Sequence, residues 1–146
     1  MENLDGEISI LVAEDNLPEQ TLLQEAFLES GIKNQVSYFQ NGQDLINFLN
    51  ENVIYSDVRK APYLILLDLN MPRLNGLETL KVLKRDQRFR RIPVVVLTVS
   101  SLDTDIAKSY ELGANSFFKK PMDYKEFVQL TKLIKKYWLQ EALLPG

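Results

Sequence analysis

The stretch YLILLDLNMP at residues 63–72 decides the fold of this chain. Its first five residues form a continuous apolar run, which is typical of a strand buried on both faces of a sheet. The run ends at Asp68, and an ionised carboxylate is costly to bury unless other groups compensate its charge. Pro72 and the pair Asn75-Gly76 predict a loop, so we expect Asp68 at the carboxyl end of the strand, beside that loop.

Asp68 has both a structural and a functional interpretation. A carboxylate that precedes a helix often caps the N-terminus of that helix. The next helix is predicted to begin near Asn75, however, which lies seven residues further along the chain and is too distant for such a cap. The position therefore favours a functional carboxylate.

The rest of the chain alternates between strand and helix patterns. Each predicted strand is followed by residues with helical apolar spacing, and the last helix is expected over residues 123–140. Five strands that alternate with five helices predict a doubly wound α/β fold, with a parallel sheet between two layers of helices. The other predicted strands cover residues 8–13, 36–39, 94–98 and 116–120.

Composition limits the chemistry that is available. The 146 residues carry a net charge of −3 and include neither histidine nor cysteine. A disulfide framework, a thiolate zinc site and a histidine base are therefore excluded. The acidic balance gives no electrostatic case for nucleic acid or an anionic membrane as partner. No apolar run reaches the length of a membrane span, so we expect a cytoplasmic protein.

Two further features of the chain concern its organisation. We find no repeat and no low-complexity linker, and we expect a single domain over residues 1–146, with a core at about 8–138 and a tail at 139–146. The basic residues between 81 and 91 are interrupted by Asp86 and include one aromatic residue, so we interpret them as a solvated helix end rather than a nucleic-acid surface.

Polar residues end four of the predicted strands, namely Glu14 with Asp15, then Asp68, Thr98 and Lys120. Right-handed crossovers bring the carboxyl ends of parallel strands to one edge, where such sheets bind ligands. Neighbouring carboxylates repel each other unless a cation is present, and Mg²⁺ prefers oxygen ligands and accepts phosphate. A carboxylate can also attack phosphorus, while a hydroxyl and an ammonium stabilise the phosphoryl oxygens.

These residues resemble the receiver domain of two-component response regulators, over about residues 8–138. The resemblance implies a flavodoxin-like (βα)5 fold with a five-stranded parallel sheet in the order 2-1-3-4-5. It is carried by the acidic pair Glu14-Asp15, Asp68 with Met71-Pro72 and Gly76, Thr98, Phe117, and Lys120-Pro121.

The resemblance implies catalytic and switch roles for four of these residues. Asp68 is expected to be the phosphoacceptor, assisted by Thr98 and Lys120, and Thr98 and Phe117 are expected to be the switch pair. Phe117 lacks the hydroxyl of the tyrosine that is common at this position, and Val99 stands where the family usually has a small residue. The bond between Lys120 and Pro121 is expected to be cis.

The resemblance also implies a cofactor and a phosphoryl donor. Asp15 and Asp68 are expected to ligate Mg²⁺ directly, with the backbone carbonyl of Asn70 as a further ligand and Glu14 acting through water. The implied donor is a histidine kinase or a phosphotransfer protein. Because receivers act on their own phosphoryl group only in a limited sense, we do not classify the chain as an enzyme.

A narrower resemblance connects the chain to phytochrome-associated single-domain regulators, which implies a phytochrome-like kinase as one candidate donor. We therefore expect a stand-alone receiver without an output domain of its own, which signals through protein contacts or onward phosphotransfer. The features that carry this resemblance are a long loop at 52–62, the run at 66–72, the segment at 90–93 and the tail at 137–145.

The last helix and the tail carry an excess of apolar residues, which more often marks a partner surface than the face of a monomer. We expect a homodimer formed through Trp138, Leu139, Leu143 and Leu144. The alternative is that the tail packs against its own domain.

Two other functions fit parts of the pattern. A Mg²⁺-dependent phosphatase with an aspartate nucleophile needs a second aspartate two residues later as its acid and base, and this position is Asn70. A degenerate receiver that only binds partners is disfavoured by the complete set of acidic residues, Thr98 and Lys120.

Overall fold

The computed structural model describes residues 8–52 and 62–145, so residues 53–61 of the predicted long loop lie outside the described residues. Within these ranges, no helix has the length and apolar content needed to cross a membrane. Strands and α-helices alternate as the sequence predicts. The elements are β1 (Ser9–Ala13), α1 (Leu17–Glu29), β2 (Val36–Phe39), α2 (Gly42–Asn52), β3 (Tyr63–Leu67), α3 (Gly76–Arg85), β4 (Val94–Thr98), α4 (Asp103–Glu111), β5 (Ser116–Lys119) and α5 (Tyr124–Ile134).

The five strands of the described residues form one sheet in the order β2-β1-β3-β4-β5, and every neighbouring pair is parallel. The predicted fold class and strand order are thus confirmed. The chain moves outward in one direction from β1 to β2 and in the other from β3 to β5. The reversal creates a crevice between the carboxyl ends of β1 and β3, which is where such sheets bind ligands.

The core has two halves, one on each side of the sheet. Alternate residues of a strand point to opposite faces, so Ile10 and Leu66 pack with α1 and α5, whereas Leu11 and Leu67 pack with α2 and α3. β3 lies at the centre of the sheet, and its residues 64–67 are completely buried. The continuous apolar run that precedes Asp68 is explained by this burial on both faces.

Capping residues fix the first residues of α1 and α3, the two helices that flank the crevice. The side chain of Asn16 accepts a hydrogen bond of 3.0 Å from the backbone N–H of Glu19 at the start of α1. α3 begins with a capping box, in which Asn75 and Glu78 each bond the backbone N–H of the other. The prediction of a helix that begins near Asn75 is therefore confirmed.

The last helix differs from the single α-helix predicted over 123–140. α5 ends at Ile134 and continues as a π-helix over Lys135–Glu141. The π-type hydrogen bonding extends to Ala142, whose N–H donates to Tyr137 at 2.7 Å. Apolar spacing does not distinguish the two helix types over such a short segment.

The tail packs mainly against its own domain. Trp138, Leu139 and Leu144 belong to the core half that contains α1 and α5, and Leu139 is fully buried. Leu143 is different, because 68% of it is exposed. The expectation that all four apolar residues exceed what the domain can bury is therefore wrong for Trp138, Leu139 and Leu144, which pack in the core of the domain.

Leu139 and Leu143 offer a matched test of this packing. Replacing the buried Leu139 with Ala should lower the free energy of unfolding by about 2–5 kcal/mol, because it removes buried methyl groups and leaves a cavity. The same change at the exposed Leu143 should alter it by no more than about 0.5 kcal/mol. Urea denaturation of both variants measures the difference, and equal losses would contradict the observed packing.

Candidate functional site

Backbone hydrogen bonds extend the sheet past the last residues of its strands and align the candidate site. The N–H of Asp68 donates to Ala13 at 3.0 Å, and the N–H of Lys120 donates to Thr98 at 2.7 Å. These bonds hold the residues that follow β3 and β5 against the neighbouring strands. The loop after β3 is held more tightly still, because a Cβ on Gly76 would lie 2.3 Å from the carbonyl oxygen of Asp68.

Lys120 joins three carboxylates at this edge of the sheet. Its Nζ donates to Asp68 Oδ2 at 2.8 Å, to Glu19 Oε2 at 2.5 Å and to Glu14 Oε1. Lys120, Glu14 and Asp68 are buried, and Glu19 is partly exposed. The structure thus brings together three of the predicted site residues, Lys120, Glu14 and Asp68. It adds the carboxylate of Glu19, which the sequence analysis did not name.

Strand alternation explains why these side chains meet. Glu14 has the same parity as Ile10 in β1, and Asp68 has the same parity as Leu66 in β3, so both are directed to the α1–α5 side of the sheet. Lys120 lies two residues after Phe118 and so has the same parity, and Phe118 packs on the α1–α5 side of the sheet. The same alternation sends Lys119 to the other side, and Lys119 is exposed whereas Lys120 is buried.

Glu19 was missed because the sequence analysis treated α1 only as an apolar stripe. Its position contains a usable signal, since it lies in the first turn of the helix that covers the side of the sheet occupied by Glu14 and Asp68. The Asn16 cap fixes the start of α1, and Gln20 Nε2 donates to the backbone oxygen of Glu14 at 2.6 Å. These contacts place the first turn of α1 beside the carboxylates.

Burial and the neighbouring side chains shift the pKa values of Glu14 and Lys120. Burial raises the pKa of Glu14 to about 8, and the nearby Asp68 adds to the effect, although Lys120 and the N–H of Asn16 oppose it. For Lys120, burial alone would lower the pKa, but the hydrogen bonds to Asp68, Glu14 and Glu19 outweigh burial and raise the pKa.

Two of the expected metal ligands, Asp15 and Asn70, are exposed residues. Asp15 is exposed and is not among the three acidic residues, Glu14, Glu19 and Asp68, whose oxygens lie within 4.8 Å of one another. Asn70 is also exposed, and its backbone N–H donates to Asp68 Oδ1 at 3.2 Å. Direct ligation by Asp15 and by the carbonyl of Asn70 therefore stays a prediction.

Of the two expected switch residues, Thr98 is the last residue of β4, and Phe117 lies within β5. Thr98 is fully buried, and within the described part of the chain its hydroxyl has no hydrogen-bond partner. Phe117 is partly buried and packs against the core half that contains α2 and α3. Val99, in contrast, is 57% exposed, so it does not fill the core.

The peptide bond between Lys120 and Pro121 is trans, so the prediction of a cis bond is wrong. A cis bond is one way to direct the lysine into the crevice. Nζ nevertheless reaches Asp68 at 2.8 Å with a trans bond. The small trans preference of X-Pro bonds is thus sufficient to account for the conformation.

The donor set fits a hard divalent cation. Carboxylate oxygens from three residues lie within 4.8 Å of one another, and Mg²⁺ and Mn²⁺ prefer such ligands. Like charges at this spacing are stable together only with a compensating cation. Lys120 supplies one positive charge, and the exposed Asp15 follows Glu14 in the sequence.

The doubly wound sheet, the acidic crevice and the buried lysine match the features on which the resemblance to receiver domains rests. Residues 10–132 match the family described as response regulator receiver domain. The chain belongs to this family.

Two curated relatives cover nearly the whole chain. It is 35% identical over 137 residues to response regulator Rcp1 of Synechocystis, with 94% of this chain and 92% of Rcp1 covered. It is 34% identical over 137 residues to a probable methanogenesis regulatory protein, FilR2, of Methanothrix harundinacea, with 94% of this chain and 87% of the relative covered.

Solved structures agree with these relatives. The phosphorylated cyanobacterial phytochrome response regulator RcpA matches with a TM-score of 0.83 at 34% identity, and both chains are covered completely. The Mn²⁺-bound form of Rcp1 matches with a TM-score of 0.81 at 34% identity, covering 94% of this chain and 99% of the other. Stand-alone phytochrome response regulators are thus among the proteins that this chain resembles.

The raised pKa of Glu14 predicts how stability depends on pH without metal. Its pKa rises from 4.5 to about 8 on folding, so the folded protein retains a proton that the unfolded chain loses, and ionisation destabilises the fold as the pH rises through this window. Because glutamine does not ionise, the substitution Glu14→Gln removes this loss of stability. In EDTA the variant should gain on the order of 2–4 kcal/mol over wild type between about pH 5 and pH 8.

Thermal unfolding at several pH values measures this difference. Glu111→Gln, at an exposed position on α4, controls for the loss of a solvated charge. A constant difference between wild type and Glu14→Gln across the pH range would contradict the prediction.

Proposed function

We propose that this chain is a phosphorylation-controlled response regulator, in which Asp68 accepts a phosphoryl group from a histidine kinase or a phosphotransfer protein. One observation carries the proposal. Asp68 follows the central strand at the switch point of the sheet, and its Oδ2 accepts from the buried Lys120 at 2.8 Å beside a second buried carboxylate, Glu14. This arrangement supplies both a nucleophile and a cation for phosphoryl oxygens.

The proposed reaction is a direct transfer to the carboxylate. An oxygen of Asp68 forms a bond to phosphorus as the P–N bond of a phosphohistidine breaks, and the imidazole nitrogen keeps the electron pair and takes up a proton. The Lys120 ammonium neutralises phosphoryl charge, and the unpaired Thr98 hydroxyl is free to donate to a phosphoryl oxygen.

We propose Mg²⁺ as the cofactor of this site. The residues that would hold it are Asp15 and Asp68 directly, Glu14 through water, and Asn70 through its backbone carbonyl. When bound, the ion would neutralise the carboxylates and the charge of the transferring phosphoryl group. The oxygen donor set of Glu14 and Asp68 and the Mn²⁺-bound form of Rcp1 support a divalent cation.

The source and the destination of the signal are also proposals. Similarity to the phytochrome response regulator RcpA supports a phytochrome-like kinase as donor. We propose that residues 1–146 act as one receiver in the cytoplasm and that the signal leaves through protein contacts or onward phosphotransfer. Nearly complete coverage of Rcp1 and RcpA supports a regulator of this size. Regulation by a bound phosphoryl group, rather than turnover of a substrate, is the proposed role.

Phosphorylation of Asp68 has a direct test. Incubation with acetyl phosphate and Mg²⁺ should add one phosphoryl group to wild type, detected by intact mass, and hydroxylamine should remove it because it is an acyl phosphate. Asp68→Asn should take up none, since an amide is not a nucleophile of this kind. Asp103→Asn, which changes an exposed aspartate, is the matched control and should react like wild type.

Two results would contradict the assignment. One is an adduct on Asp68→Asn, and the other is equal phosphorylation of wild type in Mg²⁺ and in EDTA.

We also propose a homodimer that uses the last helix and the tail. Since Trp138, Leu139 and Leu144 are largely buried, the exposed apolar groups left for an interface are Leu133, Tyr137 and Leu143, at 51%, 55% and 68% exposure. Leu133 and Tyr137 line a groove of about 240 Å³ that also includes Trp138. A surface of this kind favours a protein partner, and we assign it to a second copy of the chain.

Sedimentation tests the dimer. Wild type at micromolar concentration should sediment at twice the monomer mass, and the double variant Leu133→Ser with Leu143→Ser should shift toward the monomer because it removes apolar contact area. Leu28→Ser, at a position 71% exposed on α1, is the matched control. A wild type that sediments as a monomer would exclude this interface.

A further inference from the structure

Lys120 has no free donor in the described structure. A lysine ammonium carries three N–H groups. Its contacts are Glu14, Asp68 and Glu19, so three carboxylates take the three donors. A phosphoryl oxygen that arrives on Asp68 and needs Lys120 must therefore take the place of one of these partners.

Of the three carboxylates, Glu19 is the one whose release costs least. The side chain of Glu14 is only 6% exposed, and its second oxygen accepts from the N–H of Asn16 at 3.1 Å, so withdrawing Lys120 would leave a buried carboxyl oxygen without a partner and out of reach of water. Asp68 carries the phosphoryl group itself. The side chain of Glu19 is 33% exposed, so its carboxylate regains water when Lys120 leaves it.

We infer that Glu19 is a positioning residue that holds the Lys120 ammonium in the unphosphorylated state and competes with the incoming phosphoryl group for its third N–H. This inference rests on the proposed function of Asp68. Glu19 also places a negative charge beside the site at which the phosphoryl anion arrives. Both effects act in the same direction, and each disfavours phosphorylation.

The inference predicts how removal of the negative charge of Glu19 changes the rate of phosphorylation. Glu19→Gln keeps the shape of the side chain but weakens its hold on Lys120 and removes the repulsion. Phosphorylation of Asp68 by acetyl phosphate at saturating Mg²⁺ should become about fivefold faster, which is the change expected for an ion pair at a partly exposed site. Glu19→Asp keeps the charge and should stay close to the wild-type rate.

Glu25→Gln is the matched control, because Glu25 is an exposed glutamate on the same helix and its substitution removes the same charge. A second measurement reports on Lys120 without any phosphoryl transfer. In protein with ¹⁵N-labelled lysine, the Nζ resonance of Lys120 should move in Glu19→Gln and remain in place in Glu25→Gln.

The outcomes separate this inference from the proposed function. Faster phosphorylation together with a shifted Lys120 resonance, both specific to Glu19→Gln, supports it. A Glu19→Gln protein that is folded but reacts at the wild-type rate or more slowly overturns the role of Glu19, and slower reaction would indicate a carboxylate that assists metal binding. A wild type that takes up no phosphoryl group overturns the proposed function of Asp68 instead.

Discussion

The contact between one ammonium and three carboxylates is the constraint on which the rest of this structure depends. Glu14 and Asp68 are buried side by side, and two buried carboxyl groups at this distance repel each other unless a proton or a cation compensates their charge. Lys120 provides that charge from the far end of the chain, after the last strand. The sheet order is what brings the three strand ends close enough for this contact.

The strand alternation that builds the core also sorts the site residues. Glu14, Asp68 and Lys120 lie on the α1–α5 side, where the first turn of α1 adds Glu19. Phe117 packs on the opposite side, with α2 and α3. The acidic crevice and the expected switch aromatic therefore lie on different faces of one sheet, and Thr98 is the last residue of β4.

The tail belongs to the same half of the core as the site. Trp138 and Leu139 pack in the cluster that contains Leu66, two residues before Asp68. The π-helix is the local feature that allows this packing, and it leaves Tyr137 and Leu143 at the surface. A partner that binds the last helix would thus contact an element that shares its core with β3, the strand that precedes Asp68.

The sequence by itself determined the fold class and most of the candidate site. The apolar run that stops at Asp68 predicts the site, because a polar side chain is expected where a buried strand leaves the core. The same reasoning applies to Glu14, Thr98 and Lys120. Only the tertiary structure decided the position of Glu19, since a helix residue reaches the site through packing between α1 and the sheet, which no local pattern records. The burial of Trp138, Leu139 and Leu144 and the conformation of the Lys120–Pro121 bond were predicted wrongly for a related reason. Burial of Leu139 and the reach of the Lys120 side chain depend on three-dimensional neighbours, whereas apolar counts and local bond preferences describe only the chain itself.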